Sequence, residues 1–593
     1  LMEKVYLNNS RVIKSSISLA FILISLALIF LGINSPVSGY ELSIYSSIPT
    51  FWVLIVAATS IGIVVTVYQI YCENYQYFWF AYLSLILGVL TILFLPIVRG
   101  YFLYGGNDPN AHLNNAISII SSGQISNNYY PITHILGAML VEITSIRPET
   151  VIKFLPVNFS ILFMIFIYFL STQVSSKKEY SILASVASTT LLFSYYHITA
   201  YPQALSLFLL PFILYLYFRS SYPKITSNAN FASYKTILII LLLLMPFIHP
   251  VTSIVLIFCL IIVEVTKSFL NRSLGLQSKI TLNLVLISSI TFILWWSSFS
   301  LFTAKLEDTY SWLLLEEASE IIPRTEEISP VLEMGIKNTI FLSIKMYGPQ
   351  MIFGFLSLIA LVLIFINFQK KNAEYYNYYI TSILFLTSSI TYLLIFLSQG
   401  VTTVGRLLGA NIGAWITPIL ATFTLIEVLN KRKSCLILVT LILTFSFTLG
   451  AFSVYRSSYI QQANWHFTYH DSSAFEWYDS HHNISAISVI GSPKGRVGGS
   501  FWGWGFGAIP PHFGYHNHSE MLGEYSSEDT MMLLGESREK LILNDPTLRN
   551  STLLGTWALL EFDETDFEKL DQDRSVNKLY TNYEFKILMV KKV

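Results

Sequence analysis

Apolar runs of about 17–25 residues, each long enough to cross a bilayer as a helix, recur along the first three-quarters of the chain with short polar breaks between them. They lie near 16–34, 51–71, 78–98, 151–170, 180–197, 203–218, 236–249, 251–268, 280–303, 350–368, 376–398, 407–429 and 434–454. The pattern predicts about thirteen spans. The first run follows Lys4, Arg11 and Lys14 as a signal peptide would, but no small-residue cleavage site follows it, so it is taken as a span.

Basic residues alternate with the spans. Lys177 and Lys178, then Arg219, Lys224 and Lys235, then Lys267, Arg272 and Lys279, then Lys370 and Lys371, then Lys431, Arg432 and Lys433 occupy every second break. Positive charge collects on the cytoplasmic side, so the N-terminus is expected inside. The segments 99–150, 198–202, 249–250, 304–349 and 399–406 and everything after 454 are then expected outside, on a multi-pass protein of the plasma membrane.

After Arg456 charges, histidines and turn signals return. A helix at 473–480, strands at 484–490 and 558–562, a helix at 565–570 and a strand or hairpin at 578–590 describe a small α/β domain. The expected organisation is an all-α polytopic membrane domain, 1–454, and an extracytoplasmic α/β domain, 455–593. A Gly- and aromatic-rich run at 498–518 reads as a packed irregular loop that could also stack on sugar rings.

Composition agrees. The 593 residues are 53% hydrophobic and 12% charged, half the charge of an ordinary soluble chain. The formal net charge is zero, which argues against a nucleic-acid partner. Cys72, Cys259 and Cys435 fall within spans or at their cytoplasmic ends, so no disulfide framework is expected.

Chemistry concentrates in GYFLYGGNDPNAHLNNAISIISSG, residues 100–123. Asp108 before Pro109 is a helix start, and the residues that follow alternate as an amphipathic helix suited to the membrane surface. Asp108 and His112 are four apart and share a face. They are either an N-cap with a surface histidine or a catalytic pair. Tyr129, Tyr130 and His134 begin a returning helix, as interfacial anchors or as groups that orient a sugar. His249 sits at a proline break between two short apolar runs. There it either lines a polar cavity or bonds freed backbone carbonyls. Arg406 enters a span from outside, where it either snorkels or meets an anion such as a lipid phosphate.

An acidic motif opening a juxtamembrane helix just after an outward-going span resembles the GT-C superfamily of membrane glycosyltransferases. G-N-D-P-N-A-H-L, 106–113, stands where that superfamily carries its catalytic acid, and is similar to the first-loop motif of oligosaccharyltransferase catalytic subunits. The resemblance places the shared seven-span module at 78–303 and the long outer loop of lipid-linked mannosyl- and arabinosyltransferases at 304–349. It implies a polyprenyl-phosphate sugar donor, a glycan, lipid or protein acceptor, and transfer on the outer face. Asp108 would be the base, His112 its partner, and Arg406 or another cation the phosphate ligand. His197, in YYHITAYPQA, is the group the second outer turn offers; no acid stands there and no Trp-Trp-Asp signature is found. No cofactor is therefore expected. If a divalent metal is used, Asp108 and His112 are its candidate ligands. A lipid flippase or transporter and a non-catalytic assembly protein are the rival classes. The acids of 304–349 read mainly as solvated helix faces.

Overall fold

The computed structural model describes residues 2–105, 107–125, 128–221, 228–274, 281–300, 335–368, 375–398, 411–430, 434–481, 487–491, 530–549, 568, 571–572 and 576–590. Each of the thirteen apolar runs falls on a helix. In chain order these are α1 (Met2–Ile33), a short α2 (Ile44–Ser47), α3 (Pro49–Tyr71), α4 (Phe78–Leu93), and the single turn α5 (Leu95–Val98). After the segment 99–147 come α8 (Pro148–Val174), α9 (Lys178–Thr190), α10 (Pro202–Ser221), α11 (Asn228–Ile248), α12 (Pro250–Leu274) and α13 (Leu282–Trp296). Then follow α14 (Ile336–Phe368), α15 (Tyr376–Ser398), α16 (Ile412–Leu429) and α17 (Ser434–Ser453). The segment between α5 and α8 forms α6 (Asn107–Ser122) and α7 (Pro131–Thr144). Among the described residues seven helices are long and apolar enough to cross a membrane, and shorter apolar helices pack beside them.

Their buried faces form one continuous apolar core with Trp52, Trp415, Phe163, Phe193 and Phe208 fully enclosed. Small hydroxyls in this core satisfy themselves locally: Thr59, Thr66 and Thr422 donate to the carbonyl four residues back. Proline breaks are repaired from neighbours, as where Trp296 Nε1 donates to Pro246 O at 3.2 Å.

One element differs from expectation. The sequence reading starts the tenth span at residue 350, yet α14 begins at Ile336 and bends at Tyr347, which leaves helical geometry at φ −128°. Pro349 is the cause: it removes a backbone donor and crowds the turn before it, so apolar residues on both sides of the bend stay helical while the axis kinks.

The C-terminal domain holds α18 (Tyr469–His481), α19 (Glu536–Leu543) and a four-stranded sheet of β3 (Ile487–Gly491), β4 (Thr530–Leu534), β5 (Val576–Thr581) and β6 (Lys586–Val590). Strand order is β3-β4-β6-β5, with β3 and β4 parallel and the rest antiparallel. The expected strand at 484–490 and hairpin at 578–590 are present, and α18 covers the expected helix. β4 was not anticipated. The run 498–518, the strand at 558–562 and most of the helix at 565–570 lie outside the described residues.

This domain is docked. β1 (Leu103–Tyr104) pairs antiparallel with β2 (His466–Phe467), and the Glu584 carboxylate accepts from Tyr40 N and Thr468 Oγ1. Beneath them Leu103, Leu113, Ile152 and Ala200 of the membrane part pack with Phe467, Phe475 and Phe585. Each enclosed ring contributes about 1.5–3 kcal/mol.

Contacts sort the connections into two faces. Glu41 pairs with Arg99 at 2.5 Å, Asn464 donates to Glu41 O at 2.6 Å, and Lys345 reaches Tyr459 O at 3.2 Å. These gather 34–48, 99–105, 345 and the C-terminal domain on one face. On the other, Lys14 and Lys178 lie over Tyr77 and Tyr75, and Asn377 donates to Gln173 O at 2.5 Å.

Candidate functional site

The site starts from a turn that only glycine accommodates. Gly105, between β1 and α6, has φ +114°, and a Cβ there would fall 2.4 Å from Thr199 Cγ2 and 2.9 Å from Pro109 Cγ. Tyr201 Oη donates to Gly105 O at 2.8 Å and holds the turn in place. Asp108 is placed by its backbone in the first turn of α6.

One turn further, His112 is buried and its Nδ1 lies 2.9 Å from His134 Nε2 on α7. His134 Nδ1 in turn lies 2.7 Å from Asn128 Nδ2 and 2.9 Å from its Oδ1, and Tyr130 N–H donates to that oxygen at 3.0 Å. The two rings can hold either of two complementary tautomers, with the proton between them on His112 or on His134. Nε2 of His112 is then a lone pair in one and an N–H donor in the other. Burial first, and the neighbouring His134 and His249 second, hold the His112 imidazole well below its ordinary pKa of 6.5, so the relay is uncharged near neutral pH.

Tyr130 and His249 complete this corner. Their rings stack at 5.8 Å. His249 lies between α11 and α12 and accepts Thr252 N–H through Nδ1 at 3.2 Å, with Thr252 Oγ1 at 2.9 Å. It caps α12 in the proline break by accepting that backbone N–H, a role distinct from the carbonyl bonding and the cavity lining expected from the sequence. Tyr129 packs on Trp296 and Phe299 at 6.1 and 4.8 Å.

The structure thus brings His112, His134, Tyr130 and His249 together, one turn from Asp108. It does not bring His197 to them. That ring is enclosed by Phe193, Phe208 and Trp415, with Nδ1 2.9 Å from Ser160 Oγ. Arg406 and the acids of 307–327 lie outside the described residues. Among the described residues no three His, Cys, Asp or Glu side chains converge as a metal would require.

Sequence reasoning missed the other side of the corner. Tyr201 stands 6.4 Å from His112 and 5.8 Å from Tyr195, ring to ring. Tyr195 lies 5.8 Å from the Arg456 guanidinium, which stacks 2.9 Å from the Trp465 ring centre. Arg456 N–H donates to Tyr104 Oη at 2.7 Å. Burial pushes the Arg456 guanidinium down to about 10, so it remains a cation at neutral pH, surrounded by phenols. The available signal was an arginine flanked by tyrosines at the end of the last span, which the sequence reading used only as a domain boundary.

No protein-family model matches the chain, and no curated protein does. Among solved structures, the chain is similar to ArnT from Cupriavidus metallidurans in the apo state, at 9% identity over 86% of this chain and 97% of that one, with a TM-score of 0.44. The same protein bound to undecaprenyl phosphate gives 9% identity over 86% and 98%, with a TM-score of 0.39.

Proposed function

We propose that this chain is a GT-C-type glycosyltransferase that moves a sugar from a polyprenyl-phosphate donor to a hydroxyl of a glycan, lipid or protein acceptor outside the plasma membrane. The observation that carries this reading is the convergence at the start of α6. There a neutral two-histidine relay and aromatic side chains meet one helical turn from Asp108, on the face that also carries the C-terminal domain. Lys14 and Lys178 on the opposite face support a cytoplasmic placement of that face.

In this mechanism the Asp108 carboxylate accepts the proton of the acceptor hydroxyl. The hydroxyl oxygen bonds to the anomeric carbon, and the bond from that carbon to the phosphate oxygen breaks. The polyprenyl phosphate leaves with the electron pair, and a neighbouring cation stabilises it. His112 orients the carboxylate or holds the donor. His134 and Asn128 fix the His112 ring, and Tyr130 and His249 wall the sugar.

The test is release of polyprenyl phosphate from a panel of polyprenyl-phosphate-linked hexoses and pentoses, in membranes containing the full chain. Turnover of at least one donor is expected. Turnover of none, with correctly inserted protein, would remove the transferase assignment.

A further inference from the structure

Between the kink of α14, the 193–196 turn and the chain after α17 lies a cavity of about 110 Å³, room for several waters. Its wall includes Tyr195, Tyr347, Gln350, Arg456 and Gln462. Two of these carry buried polar atoms with no partner among the described residues: Nε of Arg456, a donor, and Oε1 of Gln350, an acceptor. Gln350 is 6% exposed and is held in place by its own Nε2, which donates to Leu192 O at 3.1 Å. Buried polar groups are rarely left unpaired, and an unpaired donor and acceptor on one wall point to an absent ligand.

The chemistry of that ligand follows from the wall. The rings of Tyr195 and Trp465 pack on the Arg456 guanidinium, and no described carboxylate lies within ion-pair distance of it. Its charge is therefore uncompensated by the described residues. Stacking on Trp465 occupies the flat of the guanidinium and leaves its edge, the fork that matches phosphate oxygens. The Gln350 oxygen is an acceptor, and a sugar hydroxyl is a donor that satisfies it.

We infer that the Arg456 cavity is a phosphoryl-sugar site: Arg456 takes the phosphate and Gln350 a sugar hydroxyl. That the phosphate belongs to the lipid-linked donor rests on the transferase reading; the binding chemistry does not. Tyr195 and Tyr201 connect this cavity to His112, so a phosphate on Arg456 would place its sugar toward the start of α6.

Calorimetric titration of the full chain in detergent tests the site with inorganic phosphate, a hexose 1-phosphate and farnesyl phosphate. Hexose 1-phosphate is expected to bind more tightly than inorganic phosphate. Farnesyl phosphate is expected to compete with it; failure to compete would overturn the lipid origin and leave a free sugar phosphate as the ligand. Arg456→Lys, which keeps charge and loses the fork, should weaken binding roughly tenfold. Gln350→Glu gives Arg456 an internal counter-ion without opening a void and should weaken it roughly 10- to 100-fold. Wild-type protein that binds none of the probes, or both variants binding as wild type does, overturns the site. Two further results separate the proposals. Binding sensitive to both variants without any sugar transfer sinks the transferase and keeps the site. Transfer with unchanged donor dependence in Gln350→Glu sinks the site and keeps the transferase.

Discussion

His112 on α6 and His134 on α7 share one hydrogen bond, 2.9 Å from Nδ1 to Nε2, in a corner that excludes water from both rings. Two helices that lie between α5 and α8 in the chain are thereby fastened by a proton, and Asn128 fastens the far ring to the loop between them.

The clamp is sensitive to acid. The His112 imidazole is held below its ordinary pKa of 6.5 in the folded state, so the unfolded chain binds the proton more readily. Stability is complete above that ordinary value and falls as pH drops below it toward the depressed value. Thermal midpoints in detergent should therefore decline below about pH 6.5, and His112→Gln should flatten that decline. An equally steep decline in His112→Gln would place the acid sensitivity elsewhere.

The docked arrangement leans on a buried ion pair. Glu41 and Arg99 side chains are 2% and 4% exposed, and Glu41 also accepts from Tyr101 Oη. Removing one partner strands a buried charge, at a cost of about 3–5 kcal/mol, whereas removing both is far milder. Glu41→Gln or Arg99→Met should each lower the thermal midpoint sharply, and the double variant should recover much of the loss. Additive losses would show that the pair is not coupled.

Gly105→Ala adds one methyl where φ is +114° and Thr199 is already in the way. The strain is of order 1–3 kcal/mol, and its relief requires the start of α6 to move. Sugar transfer should fall by more than stability does, measured as turnover at matched folded protein. Unchanged turnover would mean that the turn does not position the site.

Much of this architecture was legible because hydropathy has the same period everywhere in a membrane domain. The α6 helix was legible too, since Asp108-Pro109 and the alternation after it are local signals. What escaped depends on distant contacts. Arg456 acquires meaning only when Tyr195, Trp465 and Gln350, more than a hundred residues away in two of the three cases, close around it. His197 looks like a site residue in sequence because it follows two tyrosines in an expected outer turn, yet the aromatic packing of Phe193, Phe208 and Trp415 draws it into the core. α14 outran its expected start because a proline inside an apolar stretch bends a helix in a packed bundle without ending it.

Sidedness can be read from native chemistry. Cys72 is exposed at the end of α3, beside the face carrying Lys14 and Lys178. In sealed cells Cys72 should resist an impermeant thiol reagent. Single cysteines at Ser122 and Ser473, both exposed, should react in a background with Cys72, Cys259 and Cys435 replaced by Ser. Labelling of Cys72 in intact cells would invert the proposed orientation.

Asp108 decides between a cap and a catalyst. Asparagine caps a helix about as well as aspartate, so Asp108→Asn should leave α6 and its clamp intact, while Asp108→Ala forfeits about 1 kcal/mol of helix stability. Asparagine cannot accept a proton at neutral pH, and loss of a general base lowers rates by about 10²–10⁴-fold. A capping role therefore predicts near-normal transfer for Asp108→Asn and a deficit for Asp108→Ala that tracks its stability. A catalytic role predicts that both variants lose transfer alike, at matched levels of inserted protein and with the pH dependence of the His112 relay preserved. Donor binding gives the second reading: at the Arg456 cavity it should persist in Asp108→Asn, because the phosphate is held independently of the base. A working Asp108→Asn enzyme would take Asp108 out of the mechanism and leave the histidine relay as the candidate proton acceptor.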